Sequence, residues 1–478
     1  MSLRQKAKTG FIWTFAQQFG NQVIGFTISL ILARILLPEE FGLIGMMAIF
    51  VAVGNTLLNA GLTQSLIRTE NPDEDDYSTV FYFNLASAVL IYVLVFLLAP
   101  YIAQFYQQPI LTDIVRLYCI TFIFSAFAAV QLARLTKKMD FKTQTLVAIP
   151  ATIIGGITGV IMAYSGYGVW SLVWSSLITS FFSSAQLWFY SKWKPPLVFN
   201  KHKFRKHFGF GYKLLLSGLL NKIFENIYLL IIGKYFSAAQ VGFYTRAETT
   251  KQLPLSNIFN TLDKITYPMF AEIQNDNVRL KRVYKQLLQM VIFTVSPILL
   301  FIAVLGEPTF RFLFTEKWLP AVPFFQILCV TGILYPLHVY NLSILNVKGR
   351  SDLFLKLEIY KKIVIIITVI ITLPIGILAL LYGQIVISVI SIFINTYYTG
   401  KFLNYDVIKQ LKDVLPIIFL AIFASSGIYF LDTYGLKGLP DIFRILIGIF
   451  AGSIIYLGLA FFFKMDSLKD LRNLIIKK

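Results

Sequence analysis

The chain has 478 residues, 57% of them hydrophobic and only 14% charged, with a formal net charge of +19. Its mean hydropathy of +0.70 excludes a soluble globular protein with a wetted surface. Two cysteines exclude a disulfide-built scaffold, and a positive excess spread over many short segments, with no motif for reading bases, excludes a nucleic-acid partner.

Apolar runs recur at about the 20 residues an α-helix needs to cross about 30 Å of hydrocarbon, and not at the ~10-residue alternation of barrel strands. The sequence therefore predicts an all-α membrane protein with about fourteen transmembrane helices. In chain order these fall at roughly 10–32, 42–62, 78–98, 114–134, 142–164, 167–190, 211–233, 241–262, 286–306, 321–345, 359–379, 381–400, 414–431 and 442–463. The first lacks a small-residue cleavage site and reads as a retained span. With the basic N-terminus (Arg4, Lys6, Lys8) in the cytoplasm, roughly 33 of the 43 lysines and arginines fall inside and about 7 outside, which also places the C-terminus in the cytoplasm. Residues 241–262 are too polar to be a span by hydropathy alone. Without them, though, every later basic loop would change sides.

A shift of about 200 residues lays "ILARILLPEEFGL" (31–43) over "IIGKYFSAAQVGF" (231–243), pairing Arg34 with Lys234 and Gly42 with Gly242. Further on, "LYCIT" (117–121) lies over "ILCVT" (327–331). Each unit holds an even number of spans, so the halves enter from the same side as parallel, pseudo-twofold repeats. The expected domains are an N-lobe at 1–190 (spans 1–6), a basic cytoplasmic linker at 191–210, a C-lobe at 211–405 (spans 7–12), and two extra helices with a basic tail at 406–478.

The seventh and eighth spans carry Lys222, Glu225, Arg246, Glu248 and Lys251. A charge at mid-bilayer costs about 2.5–3.5 kcal/mol on insertion scales, so these groups are expected to face protein or water. Lys222 with Glu225, and Glu248 with Lys251, stand three apart and can pair along a helix, so two structural ion pairs are the bland alternative. Asn221 and Asn226 accompany them, and the matching spans of the first lobe offer Gln18, Asn21, Asn55 and Asn59. Together these predict a hydrated polar cleft between the lobes, suited to an anionic, hydroxyl-rich cargo: Lys222, Arg246 and Lys251 for phosphate, the amides for sugar hydroxyls.

The stretch 10–68, "GFIWTFAQQFGNQVIGFTISLILARILLPEEFGLIGMMAIFVAVGNTLLNAGLTQSLIR", and "GYGVWSLV" at 166–173 resemble the Wzx-like oligosaccharide flippases, the polysaccharide-transport branch of the multidrug/oligosaccharidyl-lipid/polysaccharide superfamily. The resemblance covers most of the chain. It implies a bacterial inner-membrane flippase, not an enzyme, that moves undecaprenyl-pyrophosphate-linked oligosaccharide from the inner to the outer leaflet by alternating access. It also implies ion coupling and polysaccharide assembly proteins as partners; no family motif singles out the residues, and Glu225 or Glu248 is the carboxylate expected to take H⁺ or Na⁺. No metal or cofactor is expected. The alternative is a cation/drug antiporter of the multidrug and toxin extrusion type, which would favour acidic pockets over this mixed one.

Other features carry less weight. His338 is a titratable candidate in the tenth span, and Pro254, Pro297 and Pro336 are candidate hinges. Cys119 and Cys329 sit within spans as small packing groups. "GIFAG" (448–452) permits close helix contact, within the chain or with a second copy. "NPDEDD" (71–76) reads as a solvated turn. The basic segment 192–206 reads as an interfacial linker on anionic membrane lipid. No phosphate-binding G-x-x-x-x-G-K-[ST] element occurs, so a nucleotide bound to this chain is not its energy source.

Overall fold

The computed structural model describes residues 3–59 and 61–476, and among them it is helical with no strand. The chain divides into two compact units, 1–242 and 243–478. The first contains α1 (Leu3–Ile35), α2 (Pro38–Asn59), α3 (Leu62–Arg68), α4 (Glu74–Tyr106), α5 (Leu111–Tyr118), α6 (Thr121–Lys137), α7 (Phe141–Tyr164), α8 (Trp170–Ser191), α9 (Lys201–Glu225), α10 (Ile227–Tyr235) and the start of α11 (Ala238–Glu272). The second holds the rest of α11, then α12 (Asn277–Val304), α13 (Gly306–Phe314), α14 (Val322–Val347), α15 (Ser351–Thr372), α16 (Ile377–Leu403), α17 (Val407–Phe430), α18 (Asp441–Phe462) and α19 (Asp466–Ile476).

Among the described residues nine helical segments are long and apolar enough to cross a membrane, and a tenth if α9 and α10, bent by 44° at their junction, count as one span. The other four expected spans fall on α1, α8, α11 and α15. These are helices of 22 residues or more, but α11 and α15 carry several charges each, so apolarity alone does not make them spans. α11 is continuous for 35 residues through Pro254 and Pro268, longer than the 241–262 expected.

Helix starts are fixed by local chemistry. Asp73 accepts from Asp76 N–H at 2.8 Å while Asp76 accepts from Asp73 N–H at 3.0 Å, a capping box that opens α4. Asn200 caps α9, Asp276 caps α12, and Asp406 caps α17. The Lys409 N–H and ammonium hold the Asp406 carboxyl below the usual carboxylate range.

In the first unit, Leu62, Leu66, Tyr77, Val80, Phe81, Val130 and Trp193 form one core cluster, which binds α3, α4 and α6 to the segment after α8. The start of α2 crosses the first turn of α11 in direct backbone contact. A Cβ on Gly42 would lie 1.7 Å from the Ala238 carbonyl oxygen, and one on Gly242 would lie 2.0 Å from the Pro38 carbonyl oxygen. The two glycines aligned by the 200-residue shift are thus the two that make this crossing.

In the second unit, α18 buries Arg444, Gly448, Gly452, Tyr456 and Ala460, a four-residue period that gives one stripe. A Cβ on Gly452 would come within 2.3 Å of Ile428, so the "GIFAG" glycines serve packing inside this unit. Arg444 grips Asp432 with both arms (2.8 and 2.7 Å) and Asp441 at 3.2 Å, closing the turn between α17 and α18. The opposite face of α18 exposes Phe450, Phe461 and Phe462, as a lipid-facing helix does.

Candidate functional site

α9 ends where Asn226 turns its amide back, its Nδ2 donating to the Lys222 carbonyl at 2.8 Å. That side-chain bond competes with continuation of the helix and accompanies the bend into α10. On the last turn Lys222 Nζ meets Glu225 Oε2 at 2.6 Å, with both side chains about half exposed (46% and 58%). Exposed pairs of this kind contribute only about 0–1 kcal/mol, so this one holds little of the fold together and leaves its charges accessible. Asn221 beside them is exposed.

On α11, Lys251 Nζ lies 2.7 Å from Glu248 Oε2, and here the side chains are 8% and 30% exposed. Gln252 Nε2 donates to the other carboxylate oxygen at 3.0 Å. The stem of Lys251 runs past Gly332 of α14, where the absent side chain leaves it room. Both expected ion pairs therefore form, the first on the first unit and the second on the second.

Arg246 is seated against aromatic rings. It is 6% exposed, and its guanidinium lies over the rings of Phe314 and Trp318 at 4.9 and 5.0 Å. Both rings are fully buried, so the cation–π contacts act in a desolvated setting. Of the remaining expected residues, Gln18 is exposed, Asn21 and Asn55 are half-buried, and Thr152 Oγ1 reaches Asn21 Oδ1 at 3.5 Å. The side chain of Asn59 lies outside the described residues. His338 sits between Ser388 Oγ (2.8 Å from Nε2) and Asn395 (3.2 Å from Nδ1).

The "NPDEDD" turn is not simply solvated. Asp76 is buried, with Oδ1 2.9 Å from His207 Nε2 and Oδ2 3.1 Å from Lys203 Nζ. His207 Nδ1 lies 2.8 Å from Ser65 Oγ. The order serine, histidine, aspartate has the form of a catalytic relay, but all three groups are buried, so no substrate reaches Ser65 and the network is a staple between α3, α4 and α9. Local pattern could not reveal it, because His207 and Asp76 stand 131 residues apart. The second histidine of the basic run 201–207 was a hint at most.

Long apolar helices of this number, some carrying paired ionic groups, make a multi-pass membrane protein. The solved structure "Lipid II flippase MurJ, inward closed conformation" matches it with a TM-score of 0.77 and 15% identity, covering 95% of this chain and 99% of that one. The family model described as "Polysaccharide biosynthesis protein" matches residues 31–323, and the chain belongs to that family. Its relatives include the teichuronic acid biosynthesis protein TuaB of Bacillus subtilis (strain 168), 25% identical over 74% of this chain and 73% of that protein. The lipopolysaccharide biosynthesis protein WzxC of Escherichia coli (strain K12) is 24% identical over 76% and 74%. Family and fold are those of membrane transporters of polysaccharide biosynthesis, not of enzymes.

Proposed function

We propose that the chain is a flippase for undecaprenyl-pyrophosphate-linked oligosaccharide, carrying it from the inner to the outer leaflet of the bacterial cytoplasmic membrane by alternating access, with both termini in the cytoplasm. The observation that carries this reading is the pair of Lys–Glu contacts on polar helices of a polysaccharide-biosynthesis transporter, each with a carboxylate still open to solvent (Glu225 58%, Glu248 30%). Ionic groups in membrane helices are costly and mark substrate or ion pathways.

In this reading Lys222 and Lys251 serve the pyrophosphate, Arg246 joining them only by leaving its seat on Phe314 and Trp318, while Asn221, Asn226, Gln18, Asn21, Asn55 and Asn59 serve sugar hydroxyls. Glu225 and Glu248 couple transport to H⁺ or Na⁺. Protonation or Na⁺ binding at either carboxylate frees its lysine for the phosphate, an exchange that drives a cycle only if the two conformations bind the ion differently.

The test is reconstitution into vesicles with a defined lipid-linked oligosaccharide, scored by the sugar's accessibility to an external lectin under imposed pH or Na⁺ gradients. Gradient-dependent exposure is expected, with Glu248→Gln abolishing the gradient dependence. Transport of a small organic cation with no movement of the sugar-lipid would replace this reading with the antiporter.

A further inference from the structure

The segment between α8 and α9 is short, rigidly held and unusual in what it shows to the outside. Trp193 is buried beneath the Arg134 guanidinium, 4.7 Å from its ring centre, and its carbonyl accepts from Gln131 Nε2 at 3.3 Å. At the other end the Asn200 N–H donates to Thr79 Oγ1 at 3.0 Å. Between these anchors Tyr82 Oη reaches the Pro195 carbonyl at 3.5 Å, and a tight turn joins the Val198 N–H to the Pro196 carbonyl at 2.7 Å.

The tip so fixed is apolar, with Leu197 92% and Phe199 52% exposed. An aromatic row continues from it along α9, Phe199 to Phe204 to Phe208 to Tyr212, at ring spacings of 5.8, 5.3 and 6.2 Å. Lys192 and Lys194 precede the tip, and Lys201, Arg205 and Lys206 follow it, all exposed. None of these five is in an ion pair among the described residues. Lys203 alone turns inward, to Asp73 and Asp76.

Depth can be read from α4. Beyond the exposed Glu74 of its first turn, its exposed positions run from Ala86 to Phe105, about 20 residues or about 30 Å, the thickness of the hydrocarbon layer. The tip is tied to Thr79 and Tyr82, four to seven residues before that belt, which is about 6–10 Å beyond its edge and within the headgroup zone.

We propose that residues 192–206 form a fixed anionic-lipid clip. The Leu197–Phe199 tip dips into the boundary between headgroups and acyl chains, and the five exposed cations gather anionic headgroups around it. Apolar tip, aromatic row and basic flank are the three features of an interfacial anchor, and their charge complements an anionic leaflet. The anchor registers the first unit in depth and lipid composition, independently of any cargo.

The full chain is tested in vesicles of equimolar phosphatidylglycerol and phosphatidylcholine, with a nitroxide placed by Leu197→Cys; the native Cys119 and Cys329 are buried. The label is expected to collide with oxygen and be shielded from a water-soluble nickel complex, at a shallower depth than a label at Leu90→Cys. Mass spectrometry of the retained lipids should show several-fold enrichment of phosphatidylglycerol. Lys194→Gln, Lys201→Gln, Arg205→Gln and Lys206→Gln combined should lose that enrichment. A label open to the nickel complex overturns the proposal and turns the basic face toward an acidic protein partner. Insertion without lipid preference also overturns it, leaving only apolar contact. Neither readout uses transport, so the result is separate from that of the flippase assay.

Discussion

His207 shows how much a single buried group can carry. It satisfies Ser65 and Asp76 at once, at 2.8 and 2.9 Å, inside the first unit. His207→Ala takes the partner from Ser65 Oγ and from Asp76 Oδ1 in a closed site, while Lys203 and the Asp73 N–H still hold Asp76 Oδ2, a loss of about 1–3 kcal/mol. Thermal unfolding in detergent should register this as a lowered midpoint, with His207→Gln recovering part of it, because an amide can still donate and accept. Arg246 invites a different substitution. Arg246→Lys keeps the charge but gives up the planar stack on Phe314 and Trp318, and should cost about 1–2 kcal/mol in the same measurement. At this scale the sequence was partly legible: the two Lys–Glu pairs followed from helical spacing. The burial of Asp76 and the aromatic seat of Arg246 did not, because both depend on partners distant in the chain.

Among elements, the crossing of α2 with the start of α11 makes the sharpest demand on packing. Gly42→Ala or Gly242→Ala drives a methyl group into a backbone carbonyl, which only displacement of a whole helix can relieve, at about 1–3 kcal/mol. Gly25→Ala and Gly209→Ala meet nothing within 4 Å and should be neutral or stabilising by about 0.5–1 kcal/mol, since alanine favours helix. Thermal unfolding of the four variants side by side separates contact from propensity, and equal losses in all four would refute the crossing. The repeat shift had already paired Gly42 with Gly242, but sequence could not say that the two meet. The break at Asn226 was likewise hidden, since Asn221, Lys222, Glu225 and Asn226 mark a polar interruption of the run without saying that the helix bends there.

At the scale of the whole chain, the membrane class was written in composition: long apolar runs leave helices as the economical solution. Span number was less legible. Nine segments of the described residues, or ten with the bent pair, qualify by apolarity, while α11 and α15 join charge to length and would be held in the bilayer by neighbours more than by hydropathy. These polar helices are also where transport would leave its signature. In reconstituted vesicles, Glu225→Gln and Glu248→Gln should keep normal insertion yet change how sugar-lipid movement responds to an ion gradient. Unchanged gradient response in both would remove the coupling role from the two carboxylates.

Tandem halves ordinarily let one copy of a residue drift while the other keeps the task. Gly42 and Gly242 have no such latitude, because each is the wall against which the opposite helix start rests. A larger residue at either meets a main-chain oxygen of the other helix, Ala238 for Gly42 and Pro38 for Gly242, so a change at one cannot be absorbed by room left at the other.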